Sequence, residues 1–182
     1  MNQLLFMKNQ FQTILYLLIA VYMFSCNQNS TKSASTAIKQ ENASNAAIQV
    51  TLEDKLYTMQ QSNIEPNIKR IFKKDSILLE FWEDGNPLKL NLNLTNTDIL
   101  ENGAATYTIP DINHPRVKVD LNFFNAERDV TSINKRIIFR KGIINITKIS
   151  ESNLEMTFEG EGSGALEYGK NFPISGEVFI TY

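Results

Sequence analysis

From Ile68 onward the chain alternates apolar and polar residues with a period of two. Leu88, Leu90, Leu92 and Leu94 interleave with Lys89, Asn91 and Asn93. That spacing turns one set of side chains to a core and the other to solvent, as in a half-buried strand. Just upstream, Ser76-Ile77-Leu78-Leu79-Glu80-Phe81-Trp82 is dense in strand formers. The linking Glu83-Asp84-Gly85-Asn86-Pro87 carries Asp-Gly turn chemistry, so the two segments predict a β-hairpin. Val117, Val119, Leu121 and Phe123 alternate with Lys118, Asp120 and Asn122, and Ala105-Thr106-Tyr107-Thr108-Ile109 forms a short strand ended by Pro110. Residues 136–139, 143–149, 154–158 and 176–182 supply further strands. Many short strands, each with one apolar face, predict an all-β fold: an antiparallel β-sandwich or small barrel with room for one short helix. A membrane-spanning barrel is a poor fit, because it needs at least eight strands of about ten residues with a continuous lipid-facing band.

Two stretches break the period. Thr51-Leu52-Glu53-Asp54 offers a helix cap with Leu52, Leu56 and Met59 on one face, stopped by Asn63-Ile64-Glu65-Pro66. The same stretch also reads as a strand. Residues 125–134 hold either a helical turn through Ala126, Val130 and Ile133 or a loop.

The N-terminal part follows a different logic. Lys8 precedes an apolar run of 11 residues, Ile14 through Phe24. That length suits the core of a signal peptide and falls short of the roughly 20 residues that span a bilayer. Ser25 and the sole cysteine, Cys26, follow at once. Residues 27–46 are rich in Ser, Thr, Asn, Gln and Ala, with too little apolar surface to offset the entropy of ordering. The expected organisation is a signal peptide over residues 1–25, a modified Cys26 with a flexible tether to residue 46, and one β-rich domain over 47–182.

Met23-Phe24-Ser25-Cys26 resembles the lipobox of bacterial lipoproteins, in which an apolar residue and two small residues precede the cysteine; Phe24 is the departure from the pattern. The resemblance implies a diacylglyceryl thioether on Cys26, cleavage before it, and further acylation of the new amino group. Two or more acyl chains hold a protein on a bilayer stably, where one does so only marginally. The order of features from Ser76 to the C-terminus is similar to that of small β-rich envelope lipoproteins of the Bacteroidota. The matching pieces are Gly103-Ala104-Ala105-Thr106-Tyr107, Gly142-Ile143-Ile144-Asn145-Ile146-Thr147, Leu154-Glu155-Met156-Thr157-Phe158-Glu159-Gly160 and Gly176-Glu177-Val178-Phe179. That family implies an envelope location and no defined activity. The tether begins without an acidic cluster, its first charges being Lys32 and Lys39, which favours the periplasmic face of the outer membrane.

Charge narrows the partners. Eighteen basic residues stand against twenty acidic ones, a net charge of -2, which gives no field to attract nucleic acid. One cysteine excludes an internal disulfide framework. His114, the single histidine, lies in Asp111-Ile112-Asn113-His114-Pro115, a turn sequence rather than a hydrolase triad. Glu80, Glu83 and Asp84 form one acidic group and Glu159 with Glu161 another; paired carboxylates hydrolyse glycosides only at set separations. Gly160-Glu161-Gly162-Ser163-Gly164 has glycine spacing like a phosphate loop but lacks the Lys-Ser/Thr ending and a following helix, and reads as a flexible β-loop. Lys69, Arg70, Lys73 and Lys74, and separately Lys135, Arg136, Arg140 and Lys141, read as solvated strand faces with anionic lipid or polysaccharide as the sharper alternative. Trp82, Phe81, Tyr107, Phe123, Phe124 and Phe139 are expected in the core. Asp75-Ser76-Ile77 resembles a short O-glycosylation signal of the same phylum.

These patterns contain no catalytic, cofactor-binding or metal-ligating constellation, so Cys26 is the one residue given a chemical role. The expectation is a lipid-anchored, non-enzymatic envelope protein whose β-domain binds an envelope protein or glycan. A β-barrel carrier of a lipid or apolar small molecule is the alternative, and a carboxylate-based hydrolase the third.

Overall fold

The structure is a computed structural model and describes residues 46–64, 68–112 and 116–181. The expected signal peptide, Cys26, the expected tether up to residue 45 and His114 lie outside those residues. The described part is all-β and antiparallel, as the alternation predicts. Ten strands form one continuous sheet that curls into a half-barrel, with two short α-helices and a 3-10 turn.

The strands are β1 (Ile48–Leu52), β2 (Lys55–Met59), β3 (Lys69–Lys73), β4 (Ser76–Trp82), β5 (Leu88–Thr95), β6 (Ala105–Ile109), β7 (Lys118–Asn125), β8 (Arg136–Ile149), β9 (Asn153–Gly164) and β10 (Phe172–Thr181). Their order across the sheet is β2-β1-β10-β9-β8-β7-β5-β4-β3, and β6 pairs with the second half of β8. The helices are α1 (Gln61–Ile64) and α2 (Ile99–Asn102), and the 3-10 turn covers Ser132–Lys135.

The hairpin of β4 and β5 forms as its alternation requires. Ile77, Leu79 and Phe81 of β4 and Leu88, Leu90, Leu92 and Leu94 of β5 are all buried on the inner face. Each such side chain contributes roughly 1.5–3 kcal/mol when fully removed from water. On the inner face, Phe123 of β7 meets Phe158 of β9 at 5.6 Å between ring centroids, and Phe139 of β8 stands edge-on to Phe158 at 6.2 Å. These three rings fill the inside over β7, β8 and β9.

Two sequence expectations are corrected and one open reading is decided. Of its two readings the stretch from Thr51 takes the strand: β1 and β2 form a tight hairpin, with Glu53 and Asp54 at positive φ of 50° and 62° in the turn, the backbone signature of a primed hairpin turn. The glycine stretch Gly160–Gly164 is not a loop but the second half of β9, paired with β8 on one side and β10 on the other. Close approach demands glycine there: a Cβ on Gly160 would stand 2.0 Å from the Lys141 carbonyl oxygen and 2.7 Å from the Phe139 ring. Trp82 and Phe124 lie not in the core but half-exposed on the outer face. Phe81, Tyr107, Phe123 and Phe139 are buried as expected.

Polar bonds fasten the curl. Asn125 Nδ2 donates to the Tyr57 hydroxyl at 2.8 Å, linking the end of β7 to β2. Asn86, in the β4–β5 turn, donates to the Thr58 carbonyl at 2.8 Å. Arg128, whose side chain is only 6% exposed, forks onto Glu53 at 2.8 and 3.0 Å and reaches Glu167 at 3.1 Å. It also lies over the Phe172 ring, 5.3 Å from its centroid. One guanidinium thus ties the β7–β8 loop to the β1–β2 turn and to the β9–β10 loop.

Candidate ligand-binding face

The outer face of β4, β5 and β7, with the start of β8, carries a shallow cleft of about 360 Å³ lined by Leu78, Glu80, Asn91, Asn93, Asp120, Asn122, Phe124 and Arg136. Register explains how they meet. Glu80 lies opposite Asn91, which lies opposite Asn122; Leu78, Asn93 and Asp120 form the next row. Trp82, Lys89, Phe124 and Arg136 form the row on the other side. Because the period of β-structure is two, the same alternation that fills the core with leucine lines up these polar side chains outside.

The cleft's hydrogen bonds are partly used. Asn91 Nδ2 donates to Asn122 Oδ1 at 3.2 Å, which leaves the half-exposed Asn91 carbonyl without a side-chain partner, while Asn122 itself is buried. Asn93 has no side-chain partner among the described residues. Both acids are matched by a cation: Glu80 with Lys69 at 3.4 Å and Asp120 with Arg136 at 3.5 Å. Lys89 lies over the Trp82 ring, 5.9 Å from its centroid, within the reach of a weak cation–π contact. The surface combines neutral amides, compensated charges and aromatic faces.

The other singled-out residues do not converge. Glu83 accepts from Asn86 at 3.2 Å and from Asn63, so it organises the β4–β5 turn, while Asp84 is exposed in that turn. Glu159 and Glu161 project from β9, four strands away from Glu80 in the sheet. The two acidic groups are therefore not brought together. Among the basic residues, Lys135 donates to the Ala126 carbonyl and Arg136 pairs with Asp120. Arg140 Nε donates to Ser163 Oγ at 2.7 Å, and its guanidinium stacks on Tyr168 at 4.7 Å. These bonds break up the second basic group as an anion surface. Ser76 opens β4 opposite Lys73, half-buried. Among the described residues no group of three or more His, Cys, Asp or Glu is placed to hold a metal, and no helix is long and apolar enough to cross a membrane.

Two further clefts stand elsewhere. One, of about 540 Å³, lies outside β8–β10 over Gly142, Gly160 and Gly176, with Ile143, Asn145, Thr157, Glu159 and Ser175 around it. The other, of about 780 Å³, is walled by residues of mixed charge, among them Lys74, Asp98, Glu101 and Arg116.

Groups with displaced pKa values are structural. Burial pushes the Tyr107 phenol up, its hydroxyl 3.0 Å from Thr97 Oγ1 inside the fold. The Glu53 hydrogen bond raises the already high Arg128 value, so this hub stays charged.

Reading the sequence missed Arg128 and the row of amides. The signal for the amides was present. Asn is depleted in strands, yet Asn91, Asn93 and Asn122 occupy outward positions of two neighbouring strands. No protein-family model, no curated protein and no solved structure matches the chain.

Proposed function

We propose that this protein is a lipid-anchored envelope protein that binds a partner rather than transforming one. The anchor rests on the sequence: an apolar leader, Ser25-Cys26 and a polar tether. Residue Cys26 carries the lipid, and the outer membrane, facing the periplasm, is the compartment. The single observation that supports the binding role is the outer-face cleft of β4, β5 and β7. Its acids stand beside Lys69 and Arg136, and the Asn93 carboxamide is left to make contacts. A carrier role draws less support, because the inward-facing leucines and phenylalanines fill the core against one another.

Metabolic labelling with a palmitate analogue tests the anchor. The wild-type chain is expected to take up label and sediment with membranes, whereas Cys26→Ser takes up none. Normal leader processing in the Cys26→Ser chain, or label retained by it, would overturn the reading.

A further inference from the structure

We infer that the outer-face cleft binds a neutral, hydroxyl-rich chain, a short stretch of polysaccharide. This rests on the binding reading above and gives it a ligand class. Charge decides the first half of the argument. The two carboxylates at the cleft are each matched by a cation, Glu80 with Lys69 and Asp120 with Arg136, and the further cation of the face, Lys89, lies over the Trp82 ring. An anionic ligand would meet Glu80 and Asp120, and a cationic one would meet Lys69 and Arg136, so a neutral ligand faces the least opposition. Functional groups decide the second half. A sugar ring offers hydroxyls around its edge and C–H bonds on its faces. The Asn91 carbonyl and both ends of the Asn93 carboxamide supply acceptors and donors in adjacent rows. Carboxamides suit hydroxyls because each can give and take a hydrogen bond. Phe124 supplies an apolar wall, and Trp82 stands in the same row with Lys89 between them. Strands lie about 4.8 Å apart, so the four strands span roughly 14 Å. That is a length for a few linked rings rather than a single small molecule. The platform is also rigid, since its reverse side is the leucine core, and a preordered face loses little entropy on binding.

Affinity electrophoresis of the full chain in detergent tests this, with dextran, mannan and laminarin as neutral polysaccharides and polygalacturonate as the anionic one. At least one neutral polymer is expected to retard the protein, with little change on raising salt. Asn93→Ala and Phe124→Ala are each expected to weaken that retardation about tenfold, with unchanged unfolding midpoints. No retardation by any neutral polymer, retardation only by polygalacturonate and lost at high salt, or retardation unaffected by both substitutions would each overturn the ligand class. None of these touches the membrane anchorage read out by Cys26 labelling. Shortening of a polymer by the protein would instead overturn the non-enzymatic reading itself.

Discussion

The β4–β5–β7 region and the β8–β9–β10 region belong to one sheet but solve different problems. In the first, β4 and β5 keep a strict alternation and β7 follows it up to Leu121, and the result is a ladder with leucine inside and amides in the outward rows. In the second, glycines interrupt the pattern: Gly142 faces Gly160 directly, and Gly176 faces Phe158. The rings of Phe139 and Phe158 occupy the space that Cβ atoms on these glycines would need. Glycine kinks and bulges are the means by which sheets bend. The two regions divide the work: the glycine-rich half lets the sheet curl around its core, and the more regular half presents an outer face of amides, charges and aromatic rings.

The comparison breaks most visibly at Gly160. Gly160→Val places atoms against the Lys141 carbonyl and the Phe139 ring, and is expected to cost about 3 kcal/mol; urea unfolding measures it through the midpoint. A loss below about 0.5 kcal/mol would show that the bend does not need glycine there. Next comes the bond between regions. Arg128→Ala strands the Glu167 carboxylate and releases Glu53, at an expected cost of about 2 kcal/mol, moderated because Glu53 is partly exposed to water. Smaller still is a pH effect at Tyr107. Its folded pKa lies above the ordinary 10.0, so the stability it contributes is intact below that value and is lost as pH rises through the raised folded value. In Tyr107→Phe that alkaline slope should diminish relative to wild type, while the neutral-pH stability falls by about 1 kcal/mol with the Thr97 hydrogen bond. Smallest is Asn93→Val on the outer face, where a β-branched residue suits the strand and stability should stay within about 0.5 kcal/mol. A large loss there would mean that the amide row is structural.

The same contrast decides what the sequence discloses. The β4–β5 hairpin is legible because nothing disturbs its period and Asp84-Gly85 marks the turn. β8 reads as two fragments because a bulge between Phe139 and Lys141 shifts its parity: Ile137 and Phe139 face inward, then Ile144 and Ile146 do. A second irregularity, between Ile146 and Lys148, restores odd parity at Ile149. β9 is lost past Phe158 because its glycines carry no hydrophobic signal, though Gly162 and Gly164 are buried. The β1–β2 hairpin is masked by coincidence, since Leu52, Leu56 and Met59 fall at near-helical spacing and the turn uses Glu53 and Asp54 instead of glycine. For the cleft, the outward amides are visible as residues. Their assembly is not, because it depends on β7 pairing with β5 while β6 is diverted to β8. Trp82 and Phe124 mislead for a related reason: size argues for burial, and only register reveals which face they take.

The neighbour of β1 in the sheet, beyond its own hairpin, is β10, with Ile48 opposite Val178 and Leu52 opposite Ile174. During synthesis β1 therefore waits for β10 before it gains its second partner. A chain lacking β10 would expose two unpaired strand edges at once, on β1 and on β9. Such non-local pairing slows folding, so this sheet is completed only once β10 has been made.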